Sequence, residues 1–323
     1  MLGSSRVILD RLFEKRLLVL SGKGGVGKSV TGAALALAAS ERGKRTLLVE
    51  VDAAREAARY LDAADSGSAI TEVRSDLFTV NLRPQAVMDE YVGHVVKIEM
   101  LARRILENPI YKRFFAAAPG LKELMVLGKI MVLEEETHGW ARKPRFDLVI
   151  LDAPATGHGL SFLKVPMAAA EAVPVGPIGA NARRILTLLR DPRRTALVVV
   201  AIPEEMAVVE AAWFHRLATQ ELRITCAASV LNAAYERRFT RDEEADVLRL
   251  CAEGATGRLT RDADLGAALD AARRQIRRRK LTQFYERRLR RDIDAPLVSL
   301  PYLVRDPIGP DALRLLVRRL EAA

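Results

Sequence analysis

The sequence of 323 residues has few cysteines, few aromatic residues and no long hydrophobic run. Its two cysteines, Cys226 and Cys251, show no C-x-x-C spacing, which argues against a zinc site or a disulfide framework. Aromatic residues make up 5% of the chain, so we predict an aliphatic core. No apolar run approaches the roughly 18 residues that a membrane-spanning helix needs. The first 16 residues are too charged for a signal peptide. We therefore expect a cytoplasmic protein with two buried thiols.

Positive charge is concentrated near the C-terminus. The net charge is +10, and residues 273–291 hold ten basic residues against one acid, Glu286. Such a run can bind nucleic acid, anionic lipid or an acidic protein. It can also be the solvated face of a helix, which is the interpretation we favour. The apolar side of that helix would consist of Ile276, Leu281, Phe284, Tyr285 and Leu289.

A glycine-rich loop gives the first functional signal. Residues 21–29 read SGKGGVGKS and fit the phosphate-loop pattern G-x-x-x-x-G-K-[ST]. Glycines allow a backbone whose N–H groups turn inward toward phosphate oxygens. In this pattern Lys28 reaches the β- and γ-phosphates of ATP, and the Ser29 hydroxyl binds Mg²⁺. The other loop residues that we predict to bind ATP are Gly24, Gly25, Val26, Gly27 and Val30.

Short apolar runs alternate with helical segments along the chain. This alternation predicts an α/β fold, a P-loop NTPase whose mostly parallel sheet is flanked by helices. Ligands of such sheets bind at the carboxyl ends of the strands, where Asp52 and Asp152 are expected beside the loop. The predicted strands are "RLLVL" before the loop, 45–52, 77–82, 146–154, 195–203, 225–232 and 295–301.

Two long segments interrupt this alternation. Residues 84–143 and 234–292 contain no predicted strand and are typical of helices. We predict that they form a helical subdomain beside the sheet. Residues 1–323 then make a single P-loop ATPase domain with this addition.

The loop contains a second lysine, Lys23, which an ordinary phosphate loop does not need. The form K-G-G-V-G-K-S is a deviant Walker A motif, and the chain resembles ATPases of the arsenite-pump and guided-entry-of-tail-anchored-proteins family. Residues 49–54, VEVDAA, resemble the family's switch I, and residues 151–160, LDAPATGHGL, resemble its switch II. Residues 230–234, VLNAA, resemble the segment that recognises adenine. The partition ATPases ParA, the septum-site ATPase MinD and nitrogenase iron protein are more distant.

The resemblance assigns roles to individual residues. Lys23 would reach into the nucleotide site of a neighbouring subunit, which implies a homodimer or a heterodimer with a similar ATPase subunit. Asp52 would orient or deprotonate the attacking water, and Asp152 would hold Mg²⁺ through water. Glu204 would belong to the dimeric nucleotide site. Adenine would be recognised by Asn232, Pro301 and Tyr302.

The sequence also departs from this family. Switch I has Ala53 and Arg55 where the family commonly has Pro and His. The absence of C-x-x-C argues against a zinc-clamped dimer, and only one phosphate loop is present, unlike the two-halved arsenite-pump subunit. Neither arsenite nor a tail-anchored protein is therefore indicated as the client.

We predict a dimeric switch protein that binds and hydrolyses ATP with Mg²⁺ and couples nucleotide state to a client or partner. The client would be a protein with an apolar segment, and any membrane contact would be peripheral. The alternative is a positioning ATPase of the MinD or ParA type that binds DNA or membrane through its basic C-terminal region. Switch II argues against that alternative and against nucleic acid. A pseudoenzyme that binds nucleotide without turnover is a third hypothesis.

Overall fold

A computed structural model describes most of the chain. The described residues are 5–52, 59–62, 68–96, 99–109, 118, 120–139, 142–255, 263–304 and 308–322.

An eight-stranded sheet forms the centre of the molecule, in the order β10-β9-β8-β1-β7-β2-β4-β3. Neighbouring strands run parallel, except that β3 pairs with β4 antiparallel. The prediction of a mostly parallel α/β sheet of the P-loop NTPase type is confirmed. The strands are β1 Leu17–Ser21, β2 Thr46–Val51, β3 Thr71–Arg74, β4 Leu77–Leu82, β7 Leu148–Asp152, β8 Thr195–Ala201, β9 Cys226–Ala234 and β10 Leu297–Pro301.

Two features of the strands were not predicted. The edge strand β3 has four residues, none of them buried, so it lacks the apolar run of the central strands. Strands β5 (Thr137–His138) and β6 (Lys143–Pro144) form a small exposed hairpin at the end of the segment 84–143. The prediction that this segment contains no strand was therefore wrong. Two exposed residues per strand leave no hydrophobic period to detect.

Helices cover both faces of the sheet. Along β1, Leu17 and Val19 face one core, whereas Leu18 and Leu20 face the other, because alternate side chains of a strand point to opposite sides. The helices are α1 Ser5–Phe13, α2 Lys28–Ser40, α3 Pro84–Val95, α4 Glu99–Glu107, α5 Leu121–Glu135, α6 Thr156–Ala172, α7 Pro177–Arg190, α8 Glu205–Gln220, α9 Arg241–Ala255, α10 Ala263–Asp292 and α11 Pro310–Ala322.

The two cores differ in the helices that build them. Helices α1, α2 and α11 pack on one face of the sheet, and α5, α6, α7, α8 and α10 pack on the other. Helix α2 is rich in alanine and leucine, and residues 30–39 are buried without interruption. A helix that is apolar on all sides is typically buried. The phosphate loop thus leads directly into a fixed element of the core.

The two predicted helical segments contain the expected helices. Helices α3, α4 and α5 lie within 84–143, and α9 and α10 lie within 234–292. Helix α3 packs on α5, whereas α9 packs on α10, which also contacts α8 and β9. That the two segments form one subdomain stays a prediction. In the part of the chain described, no helix is long and apolar enough to cross a bilayer.

The buried carboxylate of Glu134 pairs with two arginines from distant parts of the chain, Arg16 and Arg194. Glu134 of α5 is 1% exposed and accepts hydrogen bonds from Arg194, including one at 3.1 Å from Nε. Arg16 lies 3.4 Å from the same carboxylate, and the hydrogen bond that Arg194 donates to Glu134 raises the pKa of Arg194. A buried charge of this kind is tolerated only when it is paired.

We expect Arg194→Met to lower the free energy of unfolding by about 2–3 kcal/mol, because Arg16 is then the one cation among the described residues that pairs with Glu134. Urea denaturation measures the change. Arg193→Met is the matched control, since the Arg193 side chain is 90% exposed. Equal midpoints for the two variants would show that the buried pair contributes nothing to stability.

Candidate nucleotide-binding site

Sheet topology brings the predicted site residues to one edge. Strands β10, β9, β8, β1, β7 and β2 are consecutive neighbours and all run parallel, so their carboxyl ends lie together. Each predicted site residue lies at or just beyond one of these ends. In strand order they are Pro301 and Tyr302, Asn232, Glu204, the loop 22–29, Asp152 and Asp52.

The loop needs glycine at specific positions. Gly25 and Gly27 have φ angles of 81° and 85°, a left-handed conformation that favours glycine. A Cβ on Gly22 would lie 2.2 Å from the carbonyl oxygen of Val200, so the loop begins in direct contact with β8. Helix α2 starts immediately afterwards, at Lys28. The loop therefore has the curled backbone and the helix N-terminus that an anionic phosphate requires.

The two loop lysines reach different places. Lys28 Nζ donates to the carbonyl oxygen of Lys23 at 3.4 Å, so its side chain folds over its own loop. Lys23 Nζ forms an ion pair with Glu210 Oε1 of α8 at 3.1 Å. The Lys23 side chain is 36% exposed. Lys28 thus stays at the loop, whereas Lys23 extends away from it along the surface.

Ser29 and Asp152 lie side by side at the start of α2. The Ser29 hydroxyl donates to Asp152 Oδ2 at 2.6 Å, and Asp152 is 9% exposed. Glu50, which is 2% exposed, is the register neighbour of Asp152 on β2. Leu48 and Ile150, two residues earlier on each strand, pack in the core under α2, so Glu50 and Asp152 share that face.

These oxygen donors fit Mg²⁺. The ion prefers hard oxygen ligands and binds with one or two protein groups, several waters and substrate phosphates. Among the described residues, no group of three or more His, Cys, Asp and Glu side chains is arranged to hold a metal. A magnesium ion bound together with nucleotide does not need such a group. The hydroxyl of Ser29 and the carboxylate of Asp152 suffice.

Asp52 follows β2 on the strand next to Asp152. Its side chain is exposed, its φ is 47°, and its N–H donates to the carbonyl oxygen of Leu82 at 3.1 Å. The backbone bond fixes the residue at the edge of the sheet while the carboxylate faces solvent. Ala53 and Arg55, where switch I departs from the family pattern, lie outside the described residues.

Asn232 contacts the loop directly. Its Nδ2 donates to the carbonyl oxygen of Val26 at 3.0 Å, and a Cβ on Gly27 would lie 2.1 Å from the same nitrogen. The side chain therefore joins the end of β9 to the loop. Its recognition of adenine stays a prediction, and in this arrangement the bond to Val26 uses one of the two N–H donors of the amide.

The other predicted contacts are more scattered. Glu204 is exposed at the residue before α8. Pro301 lines a depression of about 310 Å³ together with Arg279 of α10 and Arg319 of α11. Tyr302 is 46% exposed, and its ring stacks on Tyr235 with centroids 4.9 Å apart. That Glu204, Pro301 and Tyr302 contact nucleotide stays a prediction.

Three residues near the site were missed by the sequence analysis: Glu50, Glu210 and Gly159. A Cβ on Gly159 would lie 2.7 Å from the carbonyl oxygen of Pro154 and 3.2 Å from Ser21 Oγ. Glycine therefore lets the first turn of α6 lie against the sheet edge. The neighbouring Gly157 and His158 are exposed. The sequence did offer a signal for Glu50, because it is a second acidic residue two positions before Asp52.

The cysteines do not form a thiol site. Both are free, and each contacts a backbone carbonyl oxygen, Cys226 that of Ala228 and Cys251 that of Leu269. Burial raises the pKa of the Cys226 thiol to about 12. A thiol with this pKa stays protonated and unreactive near neutral pH.

Residues 15–174 match the family model described as anion-transporting ATPase. The matched residues, just under half of the chain, resemble an anion-transporting ATPase domain. This match confirms the resemblance drawn from the sequence. The domain includes the loop, Asp52 and Asp152, whereas Glu204, Asn232, Pro301 and Tyr302 lie beyond the matched residues.

Several proteins similar to this chain are named as ATPases, in agreement with this family. The ATPase BagA of Mycobacterium tuberculosis is 29% identical over 222 residues, 64% of this chain and 62% of that protein. An arsenical pump-driving ATPase of Escherichia coli is 29% identical over 216 residues, 61% of this chain and 36% of that protein. ATPase GET3C of Arabidopsis thaliana is 23% identical over 249 residues, 62% and 63% of the two chains. The alignments thus cover less than two thirds of each relative.

Proposed function

We propose that this protein binds and hydrolyses ATP with Mg²⁺ and that its nucleotide state controls association with a partner. The observation that carries the proposal is the contact between Ser29 and Asp152 beside a curled glycine loop at the start of α2. The anion-transporting ATPase domain and its relatives, all named ATPases, support it. ATP hydrolysis would take place in the cytoplasm, where ATP is available.

Each element of the site has a distinct task in this mechanism. The loop N–H groups and Lys28 hold the phosphates, and α2 adds the positive end of its dipole. Ser29 and Asp152 hold Mg²⁺, directly or through water, and the ion would neutralise phosphate charge. Glu50 lies beside Asp152 and would accept hydrogen bonds from water around the ion. Asp52 would orient or deprotonate the attacking water.

The proposed active form is a dimer or a pair with a similar ATPase subunit. Lys23 extends away from its own loop, which suits a role at a neighbouring nucleotide site. The partner or client would be a protein with an apolar segment. The relatives named above are pump-driving and related ATPases, and they do not favour a positioning ATPase of the MinD or ParA type.

The direct test measures ATP binding and phosphate release by the purified protein, with Mg²⁺ and with a chelator. Binding of ATP and release of phosphate only when Mg²⁺ is present are expected. Failure to bind ATP would overturn the proposal, and binding without release would favour the pseudoenzyme hypothesis.

We expect Asp52→Asn to leave ATP binding largely intact and to slow hydrolysis about 10²-fold or more, the usual scale for a lost base. Asparagine tolerates the positive φ of this position, so the backbone should be kept. Single-turnover hydrolysis measures the effect. Asp76→Asn is a matched control, because Asp76 also has positive φ (58°) but lies in the β3–β4 turn. Unchanged single-turnover hydrolysis in Asp52→Asn would assign Asp52 a structural role.

A further inference from the structure

One side of α10 combines positive charge with exposed apolar side chains. Helical spacing places this charged and apolar side opposite Thr282 and Leu289, which are buried. Leu281 is 43% exposed and Phe284 is 51% exposed. The α10 face consists of Arg273, Arg274, Arg277, Lys280, Leu281, Phe284, Arg287, Arg288 and Arg291.

The middle of the α10 face carries charge that the described residues do not neutralise. Arg274, Arg277, Lys280 and Arg287 form no ion pair with any described residue. The three cations nearer its ends are paired instead. Arg273 contacts Asp270, and Arg288 and Arg291 contact Asp292. Neighbouring like charges repel each other, so an external anion would stabilise this face.

Apolar surface lies between these cations. Leu248 of α9, Ile276, Leu281 and Phe284 line a depression of about 480 Å³ whose rim is basic. A second depression contains Phe284, Arg287, Arg288 and Arg291. Trp213 of α8 is 42% exposed and lines the next depression, which it shares with Arg288 and Arg291. The α10 face thus continues onto α8 as alternating apolar and basic side chains.

We propose that the α10 face docks peripherally on the surface of a bilayer that contains anionic phospholipid. Arginine and lysine pair with lipid phosphates while their stems lie along apolar surface. Phe284, Leu281 and Trp213 enter the interfacial layer, where aromatic and aliphatic side chains bind favourably. Duplex nucleic acid would use the cations alone, whereas a bilayer accounts for both the charge and the exposed apolar groups. The proposal does not depend on ATP hydrolysis.

The test is co-sedimentation of the purified full chain with vesicles. One set is phosphatidylcholine alone and the other is about one third phosphatidylglycerol. We expect binding only to the anionic vesicles. Each basic residue near such a surface strengthens binding about fivefold, so the triple variant Arg277→Gln, Lys280→Gln, Arg287→Gln should bind about a hundredfold more weakly. Phe284→Ala should bind about tenfold more weakly.

A matched triple variant controls for overall charge. Arg104→Gln, Lys143→Gln, Arg318→Gln also removes two arginines and one lysine, all exposed and none of them part of the α10 face. It should bind like the original chain, and thermal unfolding should be similar for all variants. The proposal fails if the original chain ignores anionic vesicles, or if the control triple loses as much binding. It also fails if the α10 triple loses binding to duplex DNA but keeps binding to anionic vesicles.

Discussion

Lys28→Ala is expected to abolish measurable ATP binding and turnover. Lys28 is the last loop residue before Ser29, and its side chain already lies over the loop, 3.4 Å from the carbonyl oxygen of Lys23. In the proposed mechanism it is the cation that the loop would place on the β- and γ-phosphates of ATP. Removing one partner of a desolvated charge pair costs about 2–5 kcal/mol, which weakens affinity by at least about 30-fold.

Isothermal titration with a slowly hydrolysed ATP analogue and Mg²⁺ measures this loss. Lys44→Ala is the matched control, because Lys44 lies after the C-terminal end of α2 and its replacement also removes one positive charge. Circular dichroism of both variants tests whether they remain folded. ATP binding and hydrolysis near the original level in Lys28→Ala would refute the assignment of this loop to nucleotide.

The local parts of this site could be predicted because their signals are local. The loop has a fixed glycine spacing, and two of its four glycines, Gly25 and Gly27, occupy the positions with φ angles near 80°. Asp152 follows an uninterrupted apolar run, which placed it at a strand end. The family resemblance added the distinction between the two lysines. For the loop and Asp152, the neighbouring residues along the chain were enough to predict where in the fold they lie.

The contacts between distant segments could not be predicted in the same way. Strand β7 inserts between β1 and β2, so Glu50 lies beside Asp152 although about a hundred residues separate them. The ion pair of Lys23 with Glu210 and the bond from Asn232 to Val26 depend equally on strand order. No periodicity within one segment encodes strand order. Pairing between distant strands is decided by the packing of the whole sheet.

The second large effect is expected at Lys23. We predict that Lys23→Ala keeps ATP affinity but loses hydrolysis and ATP-dependent dimerisation. In the proposed mechanism Lys28 supplies the cation that the loop requires, which leaves no second phosphate at its own site for Lys23 to contact. A cation placed across a subunit interface on developing phosphate charge acts like an arginine finger. Loss of one such contact should cost about 2–4 kcal/mol of transition-state stabilisation.

The ion pair with Glu210 provides the control for this prediction. Both side chains are about one third exposed, and exposed ion pairs of this type contribute about 0–1 kcal/mol. Lys23 can therefore leave Glu210 at little cost when a stronger anion is available. If Lys23→Ala acted only by breaking this pair, Glu210→Gln would cause the same loss of hydrolysis. We expect Glu210→Gln to hydrolyse ATP at close to the original rate.

Mixing two inactive variants tests the role in trans. In a mixed dimer of Lys23→Ala and Asp52→Asn, one nucleotide site combines an intact Asp52 with an intact Lys23 from the partner subunit. That site should recover activity, whereas the other site carries both changes and stays inactive. Mixed dimers are quantified with differently tagged chains. If they form and remain as inactive as either parent, Lys23 does not act across the interface. Normal hydrolysis by Lys23→Ala alone would lead to the same conclusion, since a cation required at the neighbouring phosphate cannot be absent without effect.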